Sequence, residues 1–250
     1  MSKTAKKHDS QGPVVVMRNA GKKFGNRIAV SDLNLSVSRG EIVGIIGPNG
    51  GGKSTALLLM AGLLRPTSGQ VSVCGIEANA LSLTSAGLIG LVTARPGLYP
   101  LLTGRENLRH FGGLFGLTSG EVDSRAAPLI RTLELTAGFD EPAGLASTGM
   151  QQKLSLIRAL LLSPDLLLFD EPTANIDPLT SRILYTELRE RADKGLACVL
   201  VTHDLSAAEA ICDRVVIIDV KIKRELRFTE RRTPLEGPLL AAWKETVVAQ

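Results

Sequence analysis

The sequence predicts an α/β fold, a mostly parallel sheet with a block of helices inserted between two of its parts. Three observations predict it. Short apolar runs alternate with longer amphipathic segments, the pattern of strands joined by helical crossovers. A glycine-rich stretch, Gly47–Thr55, lies between one such strand and a helix. From Ala94 to Gly138 the apolar period becomes helical, and strand–helix alternation resumes at Leu166. Sheets of this kind hold ligands at the carboxyl ends of their strands, so chemistry is sought there.

In chain order, Pro13–Met17 and Leu33–Val37 read as strands, the second with Leu33, Leu35 and Val37 on one face. Between them Gly21-Lys-Lys-Phe-Gly25 reads as a basic loop with one aromatic. Glu41–Ile46 is a short buried strand and Ala56–Leu64 a helix. Gln70–Val73 and Leu88–Thr93 are strands flanking a polar, helix-like segment that runs to Ser85. In the helical block Thr103-Gly-Arg-Glu106 matches a capping box, followed by an apolar stripe of Leu108, Phe111, Leu114, Phe115 and Leu117. His110 reads as a surface residue of that helix, and a second helix spans Ser119–Leu135. Ser147–Ser163 is a long amphipathic helix, Leu166–Phe169 an apolar strand and Leu179–Lys194 a helix. Ala197–Thr202 is a further strand, and Val215–Ile218 closes the sheet.

Gly47-Pro48-Asn49-Gly50-Gly51-Gly52-Lys53-Ser54-Thr55 fits G-x-x-x-x-G-K-[ST], the phosphate-binding P-loop, in the strand–loop–helix setting that motif requires. Its glycines let successive N–H groups point inward at a phosphate chain, and the positive end of the following helix adds to the field. Lys53 is expected to reach the β- and γ-phosphates and Ser54 to ligate Mg²⁺. The loop alone does not separate a kinase from a GTPase or a transport ATPase. Phe24 either stacks on an adenine ring or covers the sheet edge; pattern does not choose between them.

A strand tip is a costly place to crowd negative charge, yet Leu166–Phe169 ends in Asp170-Glu171. Mg²⁺ held by Asp170 beside Ser54, directly or through water, accounts for this. Side-chain alternation would send Glu171 the other way, where it could orient or deprotonate an attacking water. His203, at the end of Val199-Leu-Val-Thr202, can hydrogen-bond a γ-phosphate.

Composition sets the outer bounds. At 250 residues and 44% hydrophobic, the chain can bury one sizeable core. Aromatics, at 4%, are too few for base-stacking surfaces, and no nucleic-acid partner is expected. The net charge of +4 permits an anionic partner without demanding one. Cys74, Cys198 and Cys212 lack C-x-x-C spacing and read as free thiols of a reducing compartment. No apolar run reaches the roughly 18 residues of a membrane span, and Met1–Gln11 is unlike a signal sequence, so a soluble intracellular protein is expected.

Taken together, these motifs resemble the ATP-binding subunit of an ABC transporter over about residues 13 to 218. Besides the P-loop, Ala146-Ser-Thr-Gly-Met150-Gln-Gln-Lys153 stands where the family has its signature turn. Leu167–Glu171 is similar to its Walker B strand, Ala174-Asn-Ile-Asp177 to its D-loop and His203 to its switch histidine. The resemblance implies a P-loop NTPase with a RecA-like core sheet, an antiparallel β subdomain and an inserted α-helical subdomain. The boundaries it suggests are a flexible tail (1–12), a nucleotide-binding core (13–93 and 162–218), a helical signature subdomain (94–161) and a basic C-terminal extension (219–250). It implies two such subunits, identical or merely similar, sandwiching two ATP molecules head to tail. Ser147, Thr148 and Gly149 of one would cap the γ-phosphate bound by the other, with Asp177 nearby. Hydrolysis by Glu171, His203 and Lys53 would then drive integral membrane permease subunits from the cytoplasmic face of the membrane.

The Ser-Thr-Gly-Met turn, with Gly97-Leu-Tyr-Pro100 and Leu102–Asn107, is most similar to the bacterial and archaeal export-type branch. The sequence departs from the family at three places. Ala94, followed by Arg95, stands where a metal-binding, partner-sensing glutamine is usual; Phe24 replaces the usual tyrosine. The third is the glycine-rich turn after the last core strand, replaced by Asp219–Arg224, with basic residues continuing through Arg232. That stretch is either a solvated strand or tail, or a contact for anionic lipid headgroups. The alternatives to a transporter subunit are a non-transport ABC ATPase and a weakly hydrolysing regulator, the latter prompted by Ala94.

Overall fold

The computed structural model describes residues 12–81, 86–136, 139–172 and 176–228. The expected N-terminal tail up to Gln11, Ala174 and Asn175 of the D-loop, and the chain beyond Phe228 lie outside the described residues.

Two sheets make up the core. The first is antiparallel, in the order β2-β1-β4-β5, from β1 (Val15–Phe24), β2 (Arg27–Val37), β4 (Ser68–Val73) and β5 (Ile76–Glu77). The second has six strands in the order β10-β9-β3-β8-β7-β6. Here β3 (Ile42–Ile46), β6 (Ile89–Thr93), β7 (Leu166–Asp170), β8 (Ala197–Val201) and β9 (Arg214–Asp219) run parallel. The edge strand β10 (Lys221–Arg227) pairs antiparallel with β9. The parallel strands are continuous apolar runs because both faces of the sheet are covered. In β3, Ile42 and Ile46 enter one core cluster while Val43 and Ile45 enter the other.

Helix α1 (Lys53–Met60) follows β3, and α5 (Pro178–Asp193) and α6 (Leu205–Ile211) flank β8. Between β6 and β7 the chain leaves the sheet for α2 (Gly104–Leu114), α3 (Ser119–Thr132) and α4 (Thr148–Leu160). The capping box forms: Thr103 N–H donates to the Glu106 carboxylate at 2.8 Å, and Glu106 N–H donates to Thr103 Oγ1 at 3.1 Å. Thr118 and Glu121 build a second box at the start of α3. His110 is exposed and meets the Tyr99 ring edge-on at 4.8 Å between centroids.

Several local expectations are corrected. Gly21–Phe24 is not a loop but the continuation of β1, because its backbone pairs with β2 on one side and, at Gly21, with β4 on the other. Among its described residues the segment after β5 holds a single 3-10 turn, Ala78–Ala80; the rest of the expected helix-like stretch, residues 82–85, lies outside the described residues. The apolar stripe of α2 ends early: Leu114 is 63% exposed, and Phe115 and Leu117 follow the helix rather than extend it. Nor does Val215–Ile218 close the sheet. Lys221–Arg227 adds β10 outside it, with exposed Lys221, Lys223 and Arg227 blunting the edge against further pairing.

Candidate functional site

Strands β3, β7 and β8 are neighbours and parallel, so their carboxyl ends lie side by side. The glycine loop leaves β3, Asp170 ends β7, and His203 lies just past β8. The topology alone therefore gathers residues separated by more than a hundred positions in sequence.

The loop holds its shape because glycine is required at two points. A side chain on Gly47 would fall on the Ile218 carbonyl of β9, and one on Gly52 would strike Val30 and the Ala29 carbonyl. Gly52 also has φ of 97°, a backbone region that only glycine enters readily, and it caps α1. Helix α1 begins at Lys53, which is 6% exposed and donates from Nζ to the carbonyls of Gly47 and Pro48, each at 3.0 Å. Burial pulls the Lys53 ammonium below its ordinary pKa, an effect opposed by the negative charges of Glu171 and then Asp170.

Ser54 donates to Asp170 Oδ1 at 3.3 Å. Burial raises the Asp170 carboxyl above the usual range and Glu171 adds to this; the Ser54 hydrogen bond, Lys53 and His203 oppose it. A hydroxyl and a half-buried carboxylate side by side, next to the glycine loop, form a hard-oxygen donor pair that fits Mg²⁺ bound with phosphates. Among the described residues no cluster of three or more His, Cys, Asp or Glu could hold a metal. Magnesium needs none, since it takes one or two protein oxygens and completes its shell with phosphate and water.

Glu171 departs from the expected strand geometry. It lies beyond β7 with φ of 51°, a left-handed conformation unusual for a residue with a side chain, and its N–H donates to the Val201 carbonyl at 2.9 Å. Its orientation thus comes from this turn and not from alternation along a strand. The turn sets Glu171 Oε1 2.8 Å from His203 Nε2. Glu171 also lines a cavity of about 360 Å³ with Phe24, Asn49, Gly50, Lys53 and Thr55. Phe24 stands at its mouth, 48% exposed, with the Lys22 ammonium 5.3 Å from its ring centre. A larger cavity, about 880 Å³, opens on the other side of Glu171 and His203 between α5 and α6; it has neither the glycine loop nor a lysine.

The structure does not bring the signature residues to this pocket. Ser147 caps α4, its Oγ accepting from Met150 N–H at 3.2 Å, and both Ser147 and Thr148 are exposed. Gly149 is buried against the start of α5: a side chain there would meet Thr180 at 3.2 Å and Asp177 at 3.6 Å. Asp177 caps α5, accepting from Thr180 N–H at 2.8 Å, and this bond holds its carboxyl below the usual range. None of Ser147, Thr148, Gly149 and Asp177 lines the cavity at the glycine loop.

Two residues escape the sequence reading. Gln152 is fully buried and its Nε2 donates to the carbonyls of Thr93 and Ala94, each at 3.1 Å, tying α4 to the exit of β6. The signal was available: Gln152 lies one turn before Leu156, on the buried face of an amphipathic helix, where a polar residue needs a partner. The other is Arg27, which lines the loop cavity beside Phe24.

Fold and site together define a nucleotide-binding protein of the P-loop class. The comparisons carry this further: residues 30–174 match the model of the ABC transporter family, and the chain belongs to that family. It is an ABC-type ATPase cassette. It is 36% identical over 202 residues to Nod factor export ATP-binding protein I of Burkholderia lata, covering 81% of this chain and 66% of that protein. It is 32% identical to the uncharacterized ABC transporter ATP-binding protein YdbJ of Bacillus subtilis, covering 88% of this chain and 72% of YdbJ. The ATP-binding cassette MJ0796, solved as a dimer in a post-hydrolysis state bound to ADP and Pi, superposes with a TM-score of 0.78 at 30% identity, covering 86% and 99%. The chain spans about two thirds of the length of the Nod factor export proteins it matches. Among the described residues no helix is long and apolar enough to cross a membrane.

Proposed function

We propose that the chain is the ATP-binding and ATP-hydrolysing subunit of an export-type ABC transporter, acting through separate integral membrane subunits at the cytoplasmic face. The convergence of Lys53, the Ser54–Asp170 pair and the Glu171–His203 pair on one glycine loop carries this reading.

In it, the glycine loop from Gly47 to Thr55, through its free amides at the start of α1, and the Lys53 ammonium bind the β- and γ-phosphates of ATP, with the base against Phe24. Ser54 and Asp170 are the residues that would hold Mg²⁺. Bound there, the ion would supply positive charge that offsets the negative charge of the phosphates. Glu171 takes the proton of the attacking water, and the 2.8 Å contact with His203 keeps its carboxylate aimed. To donate toward the γ-phosphate, His203 would turn its Nε2–H away from Glu171 once ATP is bound.

The described lining of the loop cavity includes no residue of the α4 turn. The Ser147 hydroxyl and the exposed start of α4 at Thr148 would supply further donors, and they lie away from the chain's own loop cavity. A second cassette, identical or similar, therefore completes each site, so that ATP joins the two and hydrolysis releases them. The dimeric MJ0796 cassette supports this arrangement. Exposed Tyr99 (48%), Leu101 (88%) and Phe115 (39%) in and around the helical insertion support a protein partner there, which we take to be the permease. The Nod factor export proteins support the direction of transport.

The test is twofold. The wild-type protein should turn over ATP and Lys53→Ala should not, and the untagged protein should co-purify from detergent-solubilised membranes with an integral membrane protein. Recovery only with ribosomes or DNA would overturn the transport reading.

A further inference from the structure

Arg27 opens β2 and is the direct cross-strand partner of Phe24 in the β1–β2 hairpin. Its side chain is exposed, and one guanidinium nitrogen lies 3.4 Å from the space that a side chain on Gly50 would take. It therefore rests against the tip of the glycine loop, within the same cavity as Phe24, Asn49 and Lys53. Its neighbour Lys22 is already engaged, donating to the Arg65 carbonyl at 2.7 Å. Arg27 is different: among the described residues no carboxylate or carbonyl holds its guanidinium.

That placement needs an anion. The loop leads into the N-terminus of α1, the positive end of that helix's dipole, so a cation beside it gains nothing unless negative charge lies between. The acidic lining residue, Glu171, belongs to the inner end with Lys53, Ser54 and Asp170. Arg27 belongs to the mouth with Phe24. A triphosphate whose terminal group sits at Lys53 and whose base sits at Phe24 passes Arg27 on its ribose-proximal side.

We infer that Arg27 is a nucleotide-binding residue, its guanidinium gripping the part of the polyphosphate that ATP and ADP share. The planar five-donor fork suits two phosphate oxygens at once, which an ammonium cannot match. Arg27 thus sets nucleotide affinity, and ADP retention after hydrolysis, without touching the reacting atoms. This inference rests on the nucleotide site proposed above.

The full-length chain, as wild type, Arg27→Gln, Arg27→Lys and Arg27→Glu, is titrated calorimetrically with ADP and with a non-hydrolysable ATP analogue, both with Mg²⁺, and assayed for ATP turnover. Arg27→Gln should weaken both ligands by about the same factor, roughly tenfold for one charge-assisted contact. It should raise KM by a similar factor, leave kcat within about twofold, and leave the melting temperature of the nucleotide-free protein unchanged. Arg27→Lys should recover part of the affinity, Arg27→Glu should lose more, and added salt should weaken wild type more than Arg27→Gln. Equal affinities for wild type and Arg27→Gln would overturn the assignment, as would a loss confined to the ATP analogue, which would put the guanidinium at the γ-phosphate. A wild-type chain that binds neither ligand would overturn the nucleotide site itself.

Discussion

Replacing Glu171 by Gln isolates the chemical step. The amide keeps the length of the side chain, and its oxygen can still accept from His203 Nε2 across the 2.8 Å contact. The backbone at φ 51° is unaffected, since both residues carry the same Cβ. Glu171 is also partly exposed, with about a third of its side chain in solvent. The fold should therefore hold to within about 0.5 kcal/mol, the usual range for a substitution that disturbs no packing. What disappears is the capacity to take a proton from water. A positioned general base contributes roughly 10²–10⁴ in rate. At about 1.4 kcal/mol per factor of ten, the barrier should rise by about 3–5 kcal/mol. Phosphate release at saturating ATP and Mg²⁺ measures the loss, and calorimetry with ATP checks that binding survives. The variant should accumulate as an ATP-bound dimer on size-exclusion chromatography. Turnover at the wild-type rate would refute the assignment of Glu171 as the base.

Asp170 gives a pH-dependent prediction. Its pKa is raised in the folded protein, first by burial, so the native state favours the protonated form. Ionised Asp170 therefore costs stability, a cost absent below the unfolded value of 3.8 and fully present once pH has risen past the folded value. Asp170→Asn should raise the melting temperature of the nucleotide-free protein at neutral pH, by roughly 2–4 °C per kcal/mol gained, while abolishing Mg²⁺-dependent hydrolysis. The gain should shrink as pH falls toward 3.8; a gain that persists there would contradict the electrostatic cause. Gln152→Ala strips the Thr93 and Ala94 carbonyls of a buried donor and leaves a cavity, so urea denaturation should show a loss of about 2–4 kcal/mol. A loss under 1 kcal/mol would show that the carbonyls find other donors.

The glycine loop, Asp170 and His203 were legible because each is fixed by its own strand: once the apolar runs are recognised, their carboxyl ends and the residues that follow are known. Thr103 and Glu106 were legible for a similar reason, a capping box being local. Features set by distant pairing were not. Gly21–Phe24 has the composition of a loop, but hydrogen bonds from β2 and β4 override glycine and lysine propensities. Lys221–Arg227 reads equally as a solvated strand or a tail, and only the edge offered by β9 makes it a strand. Val220, between them, has φ of 60°, costly for a β-branched residue. It is held there because its N–H donates to the Gly51 carbonyl at 2.9 Å and its carbonyl accepts from Ser31 N–H at 2.7 Å. This accounts for how the chain manages without the glycine-rich turn usual in the family. Likewise the left-handed turn at Glu171 depends on the Val201 carbonyl of a neighbouring strand. The spacing Asp170-Glu171 implied a second acid at the site but not the turn that aims it.

That each cassette holds an incomplete half-site is tested most directly by a crystal structure of Glu171→Gln with ATP and Mg²⁺. The expected result is a head-to-tail dimer in which the Ser147 hydroxyl and the start of α4 from one subunit contact the γ-phosphate held by Lys53 of its partner. ATP bound at Lys53 with every Ser147 turn facing away from nucleotide, in all pairings of subunits, would contradict it.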